Sequence, residues 1–422
     1  MKIYDLRTEY RKNAFGLDTK RPGFSWKMES ERKNTIQSAY HIYVFQNDKV
    51  VWDSGVQTSQ ESVLVPYDGE ALLPETAYDV RIEVTDNYGN QAEGRMRFET
   101  GIFSGTDFRA EMITHEFSEE ETACPVFYQK FSCEKKVKQA RLYATAHGVY
   151  DVYLNGMRVG TKRMTPGWTS YHHRLQYQIY DVSAMCHEKN CLEITVANGW
   201  YKGILGFTCK PDHYGTKVGV FAELHITYED GTKEVIATDE SWRVRTGEVR
   251  YSEIYMGETI DTSAPEICEG KVCVKKFDKA ILGAQENEPV RIHERLEAKR
   301  LFVTPKGEKI VDFGQNLTGV VELKITGKKG QKIVIRHAET LDKEGNFYPD
   351  TLRQAKSIDT FICNGEPQVF LPRFTFHGFR YICVEGMEEM KPEQFTACAM
   401  YSAMEQTGTF TSLINQVFLP LK

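Results

Sequence analysis

The sequence predicts an all-β protein of several domains. Short β-branched or aromatic runs alternate with polar residues at period two along most of the chain, Gly, Asn, Asp and Pro bound them, and no amphipathic helix fits between the runs of residues 299–386. At 422 residues the chain exceeds one ordinary core. It has room for about three domains of the usual ~100–200 residues.

Composition narrows the function classes. Hydrophobic residues make up 41% and charged residues 27%, as in ordinary globular proteins. A net charge of -6 argues against nucleic acid as a partner, because a phosphate-binding surface shows as a basic excess. Local basic pairs such as Lys328-Lys329 read as solvated turn residues. The ten cysteines are scattered without a CxxC pair, and the two closest spacings, Cys186/Cys191 and Cys268/Cys273, suit reduced thiols better than a disulfide framework or zinc site. The start, Met1-Lys2-Ile3-Tyr4-Asp5-Leu6-Arg7, has no apolar run, and no run of about 18 apolar residues occurs anywhere. The expectation is a cytoplasmic protein without membrane contact.

The first domain is expected over residues 1–101. Phe24-Ser25-Trp26-Lys27, Ala39 to Phe45, Val50-Val51-Trp52, Ala77 to Val84 and Gly94 to Phe98 alternate as strands, with turns at Asn47-Asp48, Ser54-Gly55 and Asn87 to Asn90. That strand density fits a fibronectin type III-like sandwich, with Trp26 and Tyr78 as core aromatics. Residues 102–125, rich in Glu116, Glu119, Glu120 and Glu121, read as a solvated connecting segment.

The second domain is expected within residues 102–284. Asn155-Gly156 between Val149–Leu154 and Met157–Val159 is a strong hairpin signal, because both turn residues tolerate positive φ. Leu192 to Val196, Val218 to Tyr228 and Glu234 to Ala237 extend the pattern to a jelly roll of about eight strands, of the galactose-binding-like kind. The segment 284–298 is charged and lacks alternation, so a boundary is placed there.

The third domain, residues 285–404, holds the most distinctive blocks: Asp312-Phe313-Gly314-Gln315-Asn316, Arg336-His337-Ala338-Glu339-Thr340-Leu341 and Phe374-Thr375-Phe376-His377-Gly378-Phe379-Arg380-Tyr381. They read as strands and turns of a second β-sandwich, with Gly314 supplying backbone freedom at a turn or bulge and Asn316 capping it. Phe395 to Tyr401 reads as its last strand.

These blocks, in that order, resemble the β-sandwich of concanavalin-like type that precedes the catalytic barrel in bacterial α-L-rhamnosidases. Leu154 to Gly160, Pro166-Gly167-Trp168-Thr169-Ser170-Tyr171, Tyr180-Asp181-Val182 and Asn198-Gly199-Trp200-Tyr201-Lys202-Gly203 are similarly close to that family's N-terminal jelly roll. The resemblance covers most of residues 124–400. It implies a glycoside hydrolase family whose members cleave terminal rhamnose by inversion, with an acid and a base about 6.5–9.5 Å apart. It further implies that both carboxyls come from an (α/α)6 barrel, whose truncated start would be residues 405–422. Pro420 opposes a continued helix there. No catalytic residue is therefore nominated in this chain. Glu339, Asp342, Asp350 and Asp359 read as surface carboxylates, and accessory domains inactive alone are expected.

Sugar binding is the activity best matched by the residues themselves. A hexose offers an apolar face and a polar edge, which suits an aromatic platform beside a few directed polar groups. Trp168, Tyr171, Trp200 and Tyr201 lie in Gly-rich turn motifs, with Arg174, His172, Asn198 and Lys202 as polar neighbours. Trp168 and Trp200 read equally well as plugs at the sandwich end. Because some jelly rolls of the family resemble a calcium-dependent rhamnose-binding module, the resemblance implies calcium as a cofactor, with Asn155, Asn198 and Asp212 as oxygen donors. His172-His173 and Asp212-His213 are poor chelators, since strand neighbours point to opposite faces. Phe376, His377, Phe379 and Arg380 are the expected barrel-docking surface, exposed and prone to self-association in the absence of a barrel. Three readings stay open: a lectin-like protein binding rhamnosyl glycans, a scaffold for a separate catalytic domain, and an enzyme acting through other carboxylates.

Overall fold

The computed structural model describes residues 1–206, 209–406 and 408–409. Among these residues the architecture is β throughout, apart from short 3-10 turns and one four-residue helical turn, Gly199–Lys202. The expected start of a barrel at 405–422 falls almost wholly outside the described residues.

The first module has two sheets. One joins Lys2–Thr8, Gly23–Glu29 and Val65–Pro66; the other runs in the order Phe15–Leu17, Gln91–Thr100, Ala77–Asp86, Gln37–Gln46, Lys49–Asp53. Alternation decides which side chains meet: in Ala77–Asp86 every second residue is buried, so Tyr78, Val80, Ile82 and Val84 join Phe24, Trp26, Ile42, Val44 and Phe98 in one core. Trp26 is satisfied there, its Nε1–H donating to Gln37 Oε1 at 2.9 Å. Asn47 and Asp48 turn the hairpin at φ of 48° and 64°.

The jelly roll also has two sheets. Met157–Arg158, Val149–Leu154, Lys189–Ala197, Val126–Ser132, Arg243–Arg245 and Glu269–Gly270 form one. The other follows the order Val272–Val274, Ile113–His115, Gly219–Tyr228, Val137–His147, Leu175–Asp181, Leu282–Ala284. Its core draws Phe127, Tyr150, Val152, Ile194 and Val244 from the first sheet and Leu142, Ala144, Leu224 and Ile226 from the second. Asn155 and Gly156 make the expected hairpin at positive φ.

The segment 102–125 corrects the expectation of a solvated connector. Ile102, Phe108, Ala110, Met112 and Ile113 are buried, and Ile113–His115 is a strand of the jelly roll. The carboxylate of Glu223 fixes the approach by accepting the N–H groups of Arg109 and Ala110 at 2.6 and 2.7 Å. The acidic run 119–121 masked this pattern in the sequence.

Sandwich and jelly roll form one compact unit, comprising residues 1–160, 165–253 and 265–285. Arg141 holds Glu99 with two bonds of 2.7 and 3.0 Å, and Tyr177 donates to the Ile102 carbonyl at 3.1 Å.

The second unit takes residues 161–164, 254–264 and 286 onward. Its boundary is therefore not the single cut at 284 read from the charge pattern. Gly257–Asp261 pairs in parallel with Ile358–Ile362, and Val290–Glu297, a strand inside the charged segment 284–298, pairs with Phe395–Ser402. The strand order continues through Lys332–Ala338, His377–Glu385, the long Lys309–Thr326 and Phe395–Ser402. Ile310, Phe313, Val320, Leu323, Ile335, Phe361 and Phe379 are among the residues buried there.

The Asp312–Asn316 block is a bulge, as expected. Asp312 pairs with Tyr381 and Leu317 with Phe379, so four residues face the single Arg380. Gly314 sits at φ 83° and donates its N–H to Asp312 Oδ1 at 2.7 Å. Arg380 then grips Asp312 at 2.9 and 3.1 Å, drawing the extra residues shut. Asn316 has another task than the cap expected of it: its amide donates to Glu339 at 3.1 Å.

Candidate functional site

The candidate site stands on two loops at one end of the jelly roll. Strand Lys189–Ala197 ends against Val149, and the chain turns at once into Gly199–Lys202. Gly199 has φ 53°, and a Cβ there would lie 2.3 Å from Val149 Cγ2, so the turn requires glycine. The turn presents Trp200 half-buried and packs Tyr201 inward.

Tyr201 lies flat on His147, with ring centres 4.3 Å apart and planes 5° apart, and its hydroxyl accepts from Lys275 Nζ at 2.9 Å. Tyr171 meets Tyr201 and Tyr214 edge-on at 5.4 and 4.9 Å. On this foundation stands an outer layer. Trp168, 55% exposed, lies parallel to Trp200 at 6.2 Å and 8°, and its Nε1–H donates to the Tyr214 hydroxyl at 3.1 Å. A centroid distance of that size at so small an angle is the offset-parallel arrangement that the ring quadrupoles favour. His172 borders Tyr214 at 5.6 Å.

The polar groups beside it are held from below. Glu253 accepts the Asn198 amide at 2.7 Å and the Ile204 N–H at 3.0 Å. Burial pushes its carboxyl above the usual range, against the pull of those two donors and of Lys202. Burial, with help from Lys217 and Lys202, takes His115 down to about 4; burial and Lys275 take His147 down to about 3. Both imidazoles are thus neutral around pH 7. His147 and the Lys275 ammonium lie beside the aromatic floor at Tyr201.

Trp168, Tyr171, Trp200 and Tyr201 therefore come together, with Tyr171 and Tyr201 as support and the two tryptophans as surface. Asn198 and Lys202 flank the same turn. Arg174 is exposed on the Trp168 loop, where its backbone closes a turn with Ser170 and Thr169. Sequence reasoning missed Tyr214, His147, Lys275 and Glu253. Tyr214 carried a faint signal: Gly215 follows it, and a Cβ there would fall 2.2 Å from the Tyr201 hydroxyl.

The proposed calcium donors are not gathered. Leu154 pairs with Leu192 and Val149 with Ala197, which puts Asn155 and Asn198 just beyond opposite ends of a six-residue strand, about 23 Å apart at ~3.3 Å per residue. Asn155 is engaged with the Met185 carbonyl, Asn190 and the Cys191 N–H. Asn198 and Asp212 alone fall well short of the six to eight oxygens calcium takes. The expected docking surface is also corrected. Strand alternation turns His377 and Phe379 inward, at 3% and 0% exposure, while Phe376 is half-buried and Arg380 is occupied with Asp312.

Three family models match the chain in succession: an N-terminal immunoglobulin domain of Rha78A-like type over residues 3–104, the α-L-rhamnosidase N-terminal domain over 135–294, and the bacterial α-L-rhamnosidase concanavalin-like domain over 303–401. The first module is thus of immunoglobulin type within the sandwich class expected. An alpha-L-rhamnosidase of Formosa agariphila is 32% identical over 95% of this chain and 47% of its own length. One from Streptomyces avermitilis is 39% identical over 60% of this chain and 26% of its own length. Among solved structures, α-L-rhamnosidase from Aspergillus terreus superposes with a TM-score of 0.90 at 31% identity, covering 96% of this chain and 49% of that one. The Streptomyces avermitilis enzyme complexed with L-rhamnose gives 0.88 at 25% identity, covering 95% and 57%. The chain spans about half the length of the curated relatives it matches over most of its own sequence.

Proposed function

The chain is built of the N-terminal β-domains of the α-L-rhamnosidase family, and from that premise we propose that its jelly roll binds rhamnose-containing glycans at the face formed by Trp168, Trp200 and Tyr214. The single observation that carries this reading is the parallel pair of indoles, one of them more than half exposed and oriented by a hydrogen bond to Tyr214. A deoxyhexose stacks its apolar face, methyl group included, on such a surface, and turns its hydroxyls toward groups like His172, Asn198 and Lys202. That one relative was crystallised with L-rhamnose supports the choice of sugar.

The test is titration calorimetry with L-rhamnose and a rhamnosyl oligosaccharide. Binding that disappears in Trp168→Ala supports the reading. No heat with either ligand, or an unchanged isotherm in the variant, rejects it. Calcium is not required in this reading, so added chelator leaves the isotherm in place.

The lengths of the relatives favour a second role beside the first. These relatives extend well beyond the segment shared with this chain, which supports the proposal that these domains serve a catalytic domain and are inactive toward rhamnosides on their own. Release of nitrophenol from an aryl rhamnoside by the purified 422-residue chain would overturn this.

A further inference from the structure

The second unit contains a cluster of imidazole and carboxylate that the glycan reading does not use. His337, Asp359 and His377 are all fully buried, and one donor atom from each lies within 4.8 Å of the others. His377 Nε2 is 3.2 Å from both oxygens of Asp359, and His337 Nε2 is 3.8 Å from Oδ2 of the same carboxylate. The His337 and His377 rings are stacked at 4.1 Å.

We propose that His337, Asp359 and His377 form a buried structural site for a divalent transition-metal ion of the zinc class. The hydrogen-bond pattern of His337 leads there. Its Nδ1 lies 2.9 Å from the Ser357 carbonyl, which can only accept, so Nδ1 carries the proton and Nε2 presents a lone pair. That Nε2 is buried and has no hydrogen-bond partner among the described residues. A backbone carbonyl on one ring nitrogen is also how proteins orient a ligating histidine.

The spacing suits a small ion. Ligands about 2.0–2.2 Å from a tetrahedral zinc lie about 3.3–3.6 Å apart, between the 3.2 Å of His377 and Asp359 and the 3.8 Å of His337 and Asp359. Two imidazoles and one carboxylate are a borderline-soft set, which favours zinc over calcium or magnesium. The fourth position would be a water. Asp359 is itself braced by the Glu258 N–H at 3.0 Å. His377 Nδ1 also lacks a partner, and ligation through Nε2 does not supply one.

The experiment uses the whole chain, purified without a histidine tag. Elemental analysis is expected to find one zinc per chain; after stripping with chelator, cobalt is expected to restore stoichiometric binding with the visible bands of a four-coordinate site. Asp359→Asn and His377→Gln are expected to lower cobalt affinity at least about tenfold. A double variant of the exposed histidines, His172→Ala with His213→Ala, controls for surface binding and also answers if the buried variants do not fold. Wild-type protein that takes up neither ion, folded buried variants that keep the cobalt bands, or loss of the bands in the surface variant would each overturn the site.

Discussion

His225 Nδ1 lies 2.7 Å from Glu75, which belongs to the first sandwich, while Nε2 of the same ring lies 2.8 Å from Glu223 beside it on the jelly-roll strand. One imidazolium thus fastens two domains of the first unit. Burial alone would lower its pKa, but the bonds to Glu223 and Glu75 outweigh burial and raise it to about 9. The folded state therefore holds this proton more tightly than the unfolded chain, whose histidine titrates near 6.5. The resulting stability is complete below pH 6.5 and is lost as pH rises through 9. At most about 3 kcal/mol is involved. Denaturant unfolding across that range is expected to show the decline, and His225→Gln to flatten it.

Glu258 gives the second unit a different pH response. Its fully buried carboxylate accepts the N–H groups of Arg373 and Phe374, both at 2.9 Å, yet burial still raises it to about 7. The unfolded chain releases this proton near 4.5, so between 4.5 and 7 the folded state binds more protons and Glu258 makes stability fall with rising pH. A carbon NMR titration is expected to place its midpoint near 7, and Glu258→Gln to shrink the slope in that window.

The two tryptophans of the candidate site separate binding from folding. Trp168 is exposed, so Trp168→Ala is expected to weaken glycan affinity at least about tenfold with a stability change within ~0.5 kcal/mol. Trp200 packs against the aromatic core of Tyr171, Tyr201 and Phe221, so Trp200→Ala loses affinity and also about 2 kcal/mol of stability. Paired calorimetry and thermal unfolding check both.

Asp312 closes the bulge of the long third-domain strand. Asp312→Ala removes the acceptor of both the Arg380 guanidinium and the Gly314 N–H, and is expected to cost about 1–3 kcal/mol. Arg380→Lys keeps the charge but not the two parallel bonds, and should lose a smaller part. Urea midpoints with unchanged slopes would establish a local effect.

Strands and hairpins were legible because alternation and turn chemistry are local. Asn155-Gly156 and Asn47-Asp48 fold as their φ preferences dictate, and Trp168 and Trp200 could be nominated from their loops before their rings were seen to be parallel. What escaped notice depends on contacts between distant residues. Met112 and Ile113 are core residues beside an acidic run, and the average polarity of the stretch concealed them. Nothing in the sequence near Asn155 shows that it and Asn198 end opposite sides of a strand. His337, Asp359 and His377 sit on three separate strands, so their meeting belongs to strand order rather than to any motif. The inward aim of His377 and Phe379 was written in the alternation of their own strand, with Gly378 and Arg380 on its other face.

The parallel partner of Ile358–Ile362 is borrowed from residues 257–261, with Glu258 and Asp359 joined although 101 positions apart. During synthesis that early strand leaves the ribosome with nothing to pair with until about a hundred further residues have followed, a long-range closure of the slow kind. It also means that no single proteolytic nick between 264 and 286 releases the C-terminal sheet intact. A clone beginning at 286 would leave an unpaired edge at Ile358–Ile362 and invite aggregation.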